Sequence, residues 1–383
     1  MKLSSVKARV KSRPEEVCSL KKWNYQSSYK QAVDWQQNPV IDGGTFESMT
    51  RYDALNRPVA ITTPDNSVHR PTYNEANLLE SMAVQLRGAQ GATIFVSNID
   101  YDAKGQRELV EYGNGVVTSY EYDSLTYRLT KLKTERPDRP DAMASVLFQN
   151  STVIQDLRYA YDPVGNITRI EDAAFETIIR DNQTIAPVCG YTYDALYRLI
   201  EATGREQIGQ SSFDFIPTDG NHRDYPFVGH HAHPNDLQAL CNYTQRFGYD
   251  AVGNLESFNH RARGEGWTRH YDYEETSLIE SNKTNNRLTR TRIGDGFNQI
   301  ENYTHDVHGN MTSMPHLSAM AWNSEDRLHE INLGGGGKAY YVYDSAGQRV
   351  RKVIESLGGV KRKERIYLGG FEVYRDTNQM DKT

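Results

Sequence analysis

Residues 158–170 read RYAYDPVGNITRI. At the centre, Asp162-Pro163-Val164-Gly165 carries the chemistry of a type I turn, with Asp first, Pro second and Gly fourth. The Asp carboxylate can accept a backbone N–H two residues on, and Gly supplies a left-handed conformation. Before the turn, Tyr159 and Tyr161 alternate with Arg158 and Ala160; after it, residues 167–170 are β-branched and alternating. Alternation on both sides of turn chemistry predicts a β-hairpin.

The same frame returns along the chain. Tyr52-Asp53, Tyr101-Asp102 with Gly105, Tyr161-Asp162 with Gly165, Tyr193-Asp194, Tyr249-Asp250 with Gly253, Asp306 with Gly309, and Tyr343-Asp344 with Gly347 are clear copies. Asp123 and Trp322 open blurred ones. Asn56 and Asp326 stand where the other copies have Gly, and both tolerate that conformation. Tyr197 is a poor fit, so a longer or strained turn is expected there. The copy YDSLTYRL at 122–129 has one residue more and needs a different turn. A motif written about nine times is a building unit, where a catalytic motif is needed once. Tyr52 to Tyr73, Tyr101 to Tyr122 and Trp322 to Tyr343 are each 21 residues apart. A unit that short cannot bury its own face and must stack on its neighbours. Pairing each hairpin with the next also removes its bare edges. The expected fold is all-β: spirally wound antiparallel β-hairpin repeats.

Composition agrees. Only 37% of the 383 residues are apolar, yet 25 are Tyr, whose ring packs while its hydroxyl stays wet. Much half-buried sheet and little deep core follow. A net charge of -6 leaves no basic footprint for nucleic acid. No stretch approaches the ~20 apolar residues of a membrane span, and the basic start lacks the apolar run of a secretory signal. Residues 1–45 do not carry the repeat and read as a lead-in, either a short helix or irregular. Repeats fill 46–375, and 376–383 form a polar, frayed tail. Residues 133–145 and 215–240 read as surface insertions. No shift in composition marks a second domain.

Candidates for chemistry each have a plainer explanation. Paired carboxylates can serve glycoside hydrolysis, but each repeated Asp has its turn to explain it. His230, His231 and His233 lie in a loop-like GHHAHP without a clear fourth ligand, so no metal is expected. GGGGK at 334–338 looks like a phosphate loop, but Ala339 follows the lysine, and the stretch reads as a hairpin loop. Cys18, Cys189 and Cys241 make no disulfide framework. Neither a cofactor nor an enzymatic activity is expected.

The YD motifs resemble the RHS/YD repeats of large bacterial toxins, similar in kind to the teneurin shell. HGNMTSMPHLSAMAWNSEDRL (308–328), YYVYDSAGQRVRKV (340–353) and KERIYLGGFEVYR (363–375) look like the B component of insecticidal toxin complexes, the Tc toxins. RYDALNRPVAITTPDNS (51–67) looks like the entry to that family's repeats, and the resemblance covers 34–375. It implies a strip of sheet wound into a hollow shell. The B and C components build that shell together, around a largely unfolded toxin polypeptide. The family's propeller gate and acidic autoprotease core have no counterpart here, so the resemblance implies a truncated section, an open fragment of the cocoon. Its partners would be the remaining shell segments and the enclosed toxin. It would leave the cell with a toxin complex, without a Sec signal, or stay cytoplasmic. A carbohydrate- or cell-surface-binding Tyr-rich module and a gene remnant without function are the alternatives.

Overall fold

The computed structural model describes residues 2–8, 17–24, 27–31, 40–41, 44–137, 152–208, 239–293 and 299–377. Within them the chain is antiparallel sheet, with a 3-10 turn at Leu86–Gly88 and a 3-10 position at Ile208. It divides into two compact units. The first comprises Met1–Ile99, Tyr112–Asn114 and Thr304–Thr383; the second comprises Asp100–Glu111 and Gly115–Tyr303.

In the first unit, Lys2–Ala8, Val17–Asn24, Phe46–Tyr52, Pro58–Thr62, Val68–Tyr73, Leu79–Gln85 and Thr93–Tyr101 pair each with the next in chain order. A second meander follows, of Ala319–Trp322, Leu328–Asn332, Lys338–Tyr343, Arg349–Glu355, Lys361–Tyr367 and Glu372–Asp376. The second unit runs from Arg107–Tyr112 to Gln299–Asn302 by the same rule. One small hairpin, Ile178–Arg180 with Gln183–Ile185, is inserted between paired neighbours Ile167–Asp172 and Val188–Tyr193.

Apolar content is sparse, and most strand residues are half-buried. In the first unit Trp23 packs with Ile366 and Leu368, supported by Phe46, Phe371 and Val373. A second cluster joins Ile331, Ala339 and Tyr341. In the second unit an aromatic row crosses three strands: Phe247 stacks on Phe258 at 4.9 Å, and Trp267 meets Phe258 edge-on at 4.8 Å.

Three expectations are corrected. Residues 17–24 are neither helix nor irregular: Val17–Asn24 is a strand in full register with Phe46–Tyr52, because Trp23 needs the core beneath it. Lys133–Glu135 belong to the strand Leu129–Glu135, not to an insertion. Asp376 ends a strand, and the Thr377 hydroxyl donates to the carbonyls of Lys361 or Arg362, so the start of the tail is held. The division into two units falls where no shift in composition marks it. Residues 138–145 of the first insertion, most of 215–240 with His230, His231 and His233, and 378–383 lie outside the described residues.

Candidate functional site

The repeated turn forms as its residues require. Gly165 N–H donates to the Asp162 carbonyl at 3.2 Å, and Asp162 N–H donates to the Asn166 carbonyl at 2.9 Å. This is a type I turn closed by a left-handed residue, with the register slipping by one at Tyr161. The fourth position has φ of 80° at Gly105, 111° at Gly165, 100° at Gly253, 94° at Gly309 and 79° at Gly347. Asn56 and Asp326 take the same conformation at 63° and 55°. Tyr197 does too, at 62°, in a turn of ordinary length. The expected misfit is therefore strain at one residue rather than a longer loop. The longer copy at 123–128 does need one more residue, closing on Tyr127.

Each Asp caps its own turn. Oδ1 of Asp53 accepts N–H groups from Leu55 and Arg57, and Asp102, Asp194, Asp250, Asp306 and Asp344 repeat the pattern. Asn323, after Trp322, does the same with an amide oxygen. The Arg57 N–H, then its guanidinium, holds the Asp53 carboxyl below its ordinary value. At Asp162, desolvation pushes upward but the Asn166 amide and the turn N–H groups outweigh it. The carboxylates are thus committed to their turns and are not free acid–base groups.

The turns are also linked to one another, by bonds of the repeated Tyr that the sequence reading named only as part of the motif and by a later position that it did not single out. The Tyr hydroxyl of one repeat donates to a carbonyl just past the preceding turn: Tyr73 to Pro58 at 3.0 Å, Tyr161 to Leu129 at 2.7 Å, Tyr193 to Ile167 at 2.8 Å, Tyr249 to Leu199 at 2.9 Å and Tyr343 to Leu328 at 2.9 Å. Trp322 serves with its indole N–H on Met311 at 2.8 Å. Burial pushes the phenols of Tyr73, Tyr161, Tyr193 and Tyr343 up, so each remains a donor.

A second link points forward, from the residue after the left-handed position. Arg57 holds Asp53 with Nε at 2.7 Å and reaches Asn77 of the next turn with Nη1 at 2.7 Å. Arg128 reaches the carbonyl of Asp162 at 2.9 Å, Arg198 that of Asp250 at 3.1 Å, and Arg327 that of Asp344 at 3.0 Å. The same four guanidinium groups lie over the rings of Tyr73, Tyr161, Tyr249 and Tyr343, 4.7–5.9 Å away. Where the position holds an amide, Gln106, Asn254 and Asn310 bridge to Tyr127, Asn286 and Asp326. The sequence signal was Arg, Asn or Gln four or five residues after the Asp, disguised by the change of residue type.

Other candidates do not assemble chemistry. Glu206 and His260 pair at 3.0 Å, with Cys241 opposite Glu206 in the next strand. The imidazole is closed in between Tyr243 and Trp267, and burial pushes the Cys241 thiol up to about 11. A pocket of about 280 Å³ beside Cys241 includes Asp181 and Arg263, already paired at 3.2 Å. GGGGK closes the hairpin between Leu328–Asn332 and Lys338–Tyr343. Among the described residues no cluster of three metal-ligating side chains occurs, and no helix is long and apolar enough to cross a membrane.

No family model matches the chain. It is 31% identical over 336 residues to Toxin subunit YenC1 of Yersinia entomophaga, covering 85% of this chain and 32% of that subunit. Toxin subunit YenC2 of the same organism is 30% identical, covering 89% and 34%. The chain thus spans about a third of the length of the curated relatives it matches. In fold it is similar to the crystal structure of TcdB2-TccC3-TEV, with a TM-score of 0.68 and 26% identity, over 93% of this chain and 16% of that one. The Photorhabdus luminescens Tc holotoxin pore matches with a TM-score of 0.66 and 25% identity, over 95% and 16%. The curated relatives are YenC subunits, whereas the blocks at 308–375 resemble a B component. The solved structures carry both TcdB2 and TccC3 in their names, so the likeness reaches the repeat shell and does not single out one component. By its fold, its linked turns and its relatives, the chain is a stretch of RHS/YD-type repeat sheet similar to part of the Tc toxin subunits.

Proposed function

We propose that the chain is a length of shell wall in a Tc-type toxin complex, that its work is mechanical, and that it has no catalytic step. The observation that carries this is the linkage of successive turns. Tyr161 ties its repeat back to Leu129, and Arg128 ties forward to Asp162. Paired strands alone let a sheet bend at every hairpin; a link before and after each turn fixes the next hairpin's position. Such a strip suits a wall that must keep its form around a cargo. Its partners are then other repeat segments of the shell and an enclosed polypeptide, and it leaves the cell within the complex. The Tyr rings stacked beneath Arg and bonded through their hydroxyls are already occupied, which leaves the carbohydrate reading without support from them.

Co-expression with the rest of a Tc-type B–C pair, lacking the matching segment, tests the proposal. Co-elution, with protection of the enclosed polypeptide from added protease, is expected. A chain that never co-elutes, or that leaves the cargo as digestible as before, overturns the wall reading.

A further inference from the structure

One face of the second meander of the first unit has its charges matched, and the other does not. On the matched face Glu364 is buried and accepts from Arg351 at 2.6 Å and from Arg375 at 3.2 Å, with Lys361 at 3.4 Å. Glu355 takes Lys30 and Tyr29 there. Side chains alternate along a strand, so Lys352, next to Arg351 in Arg349–Glu355, stands on the opposite face. It lies directly across from Arg365 of Lys361–Tyr367, and like charges directly opposite repel. Arg349 adds a third cation. Its guanidinium lies over the rings of Tyr341 and Tyr367 at 5.8 and 4.8 Å, and the Lys352 ammonium lies over Tyr341 at 5.6 Å. Arg365 has Glu372 at 2.8 Å, whereas Arg349 and Lys352 have no acidic partner among the described residues. Burial, then the guanidinium groups of Arg349 and Arg365, push the Lys352 amine below its ordinary value, as befits a cation that nothing on its own face offsets.

The hydroxyls agree with the charges. Tyr343 and its counterparts in the linked turns spend their hydroxyls on carbonyls, but those of Tyr341 and Tyr367 make no hydrogen bond among the described residues. Burial pushes the Tyr341 phenol up, so it stays a donor. Unmatched cations and unspent donors thus gather around one guanidinium, and all of them are complementary to anionic oxygen. We propose that this face binds an extended, acidic polypeptide segment, with Arg349 and Lys352 holding carboxylates at alternate positions. Such carboxylates project to one side of an extended chain, ~7 Å apart. Charge complementarity chooses the anion, and the openness of the face chooses the polypeptide. Arg349 and Arg365 are exposed, and Tyr374 at the sheet's edge is 53% exposed. Small ligands are held by enclosure, so a free anion on an open face competes poorly with water. A polypeptide laid across the strands adds packing on Tyr367 and Tyr374. Two unmatched cations are too few for a nucleic-acid backbone, which is held through many phosphates. The site does not depend on the wall reading.

Fluorescence anisotropy of the full chain with a labelled peptide of alternating Glu and Ser tests the site. Saturable binding is expected, weakening as salt rises from about 50 to about 300 mM, and the matching Lys–Ser peptide should not bind. Lys352→Met keeps the stem over Tyr341 and removes the charge, and Arg349→Gln removes its neighbour. Each should weaken binding about tenfold, the usual loss of one charged hydrogen bond. The Tm of Lys352→Met should be no lower than the parent's, because the repulsion across from Arg365 is relieved; a Tm that falls assigns Lys352 to the fold instead. Acetylation footprinting needs no variant: the Glu–Ser peptide should protect Lys352 several-fold more than Lys104, which belongs to the second unit. No binding by the parent, binding unchanged in both variants, or equal labelling of Lys352 with and without peptide overturns the site. Displacement by inorganic phosphate or free glutamate at the peptide's own concentration overturns the polypeptide as occupant, and so does a single-stranded oligonucleotide that binds more tightly than the peptide.

Discussion

At Gly165 and Tyr197 the same backbone conformation meets opposite side chains. Gly165 has φ of 111°, and a Cβ added there would come within 2.9 Å of Arg128 Nη2. Gly165→Val should therefore cost about 1–2 kcal/mol, from left-handed strain and from displacing the Arg128 link. Tyr197 holds φ of 62° with its side chain largely exposed, so it bears that strain without much burial in return. Tyr197→Gly should stabilise the protein by roughly 0.5–1 kcal/mol, after the entropy Gly loses on folding. Thermal melts of both variants check the pair; a lower Tm for Tyr197→Gly would show that the Tyr contributes packing this account omits. The turn chemistry at both positions was legible in the sequence because a hairpin turn is local. What the Tyr hydroxyl does was not legible, since its acceptor lies in the preceding repeat, 32 residues away for Tyr161 and 50 for Tyr249.

Two hairpins become one element when Arg128 and Tyr161 join them. Tyr161→Phe should cost about 1 kcal/mol, the usual net value of one such bond. Arg128→Lys should lose most of what Arg128→Ala loses, because a compact ammonium cannot reach both Asp162 and Pro163 carbonyls as the planar guanidinium does. Urea midpoints for the three variants decide this, and a Lys variant as stable as the parent would reduce the link to simple charge. The caps also give the repeats a shared acid response. The carboxyls of Asp53, Asp123, Asp162, Asp194, Asp250 and Asp306 are all held below their ordinary value in the fold. In the window between the folded and unfolded values the native state binds fewer protons, so stability rises with pH there. Their contribution is complete above about pH 4, the unfolded aspartate range, and is lost as pH falls through the lower folded values. Asn323 and Asn74 show that an amide can cap the same turn without titrating. Asp162→Asn, Asp194→Asn, Asp250→Asn in one chain should then lose Tm less steeply between pH 4 and pH 2.5 than the parent. Superimposable acid limbs would mean that other groups set the response.

At the scale of the first unit, residues far apart in sequence are held as one body, which periodicity could not reveal. The turn motif shows that hairpins follow one another; it cannot show that residues 17–52 and 319–376 share a core. Trp23 is 6% exposed and packs on Ile366 and Leu368. Tyr29 donates to Glu355 Oε1 at 2.6 Å across 326 residues, and Lys30 reaches the same carboxylate at 2.6 Å. Glu355 is itself buried, so it needs these partners: desolvation pushes its carboxyl up, and Lys30 and Tyr29 outweigh that and hold it down. Trp23→Ala removes the largest side chain of the shared cluster and should cost about 3–5 kcal/mol, as aromatic truncations in cores do. The informative readout is where the loss appears. If the two segments form one cooperative unit, amide hydrogen exchange should accelerate in Lys361–Tyr367 and Glu372–Asp376 as much as in Val17–Asn24 and Phe46–Tyr52. Faster exchange confined to residues 17–52 would mean that the later strands stand without the Trp23 contact, and that the shared core joins two separately stable sheets.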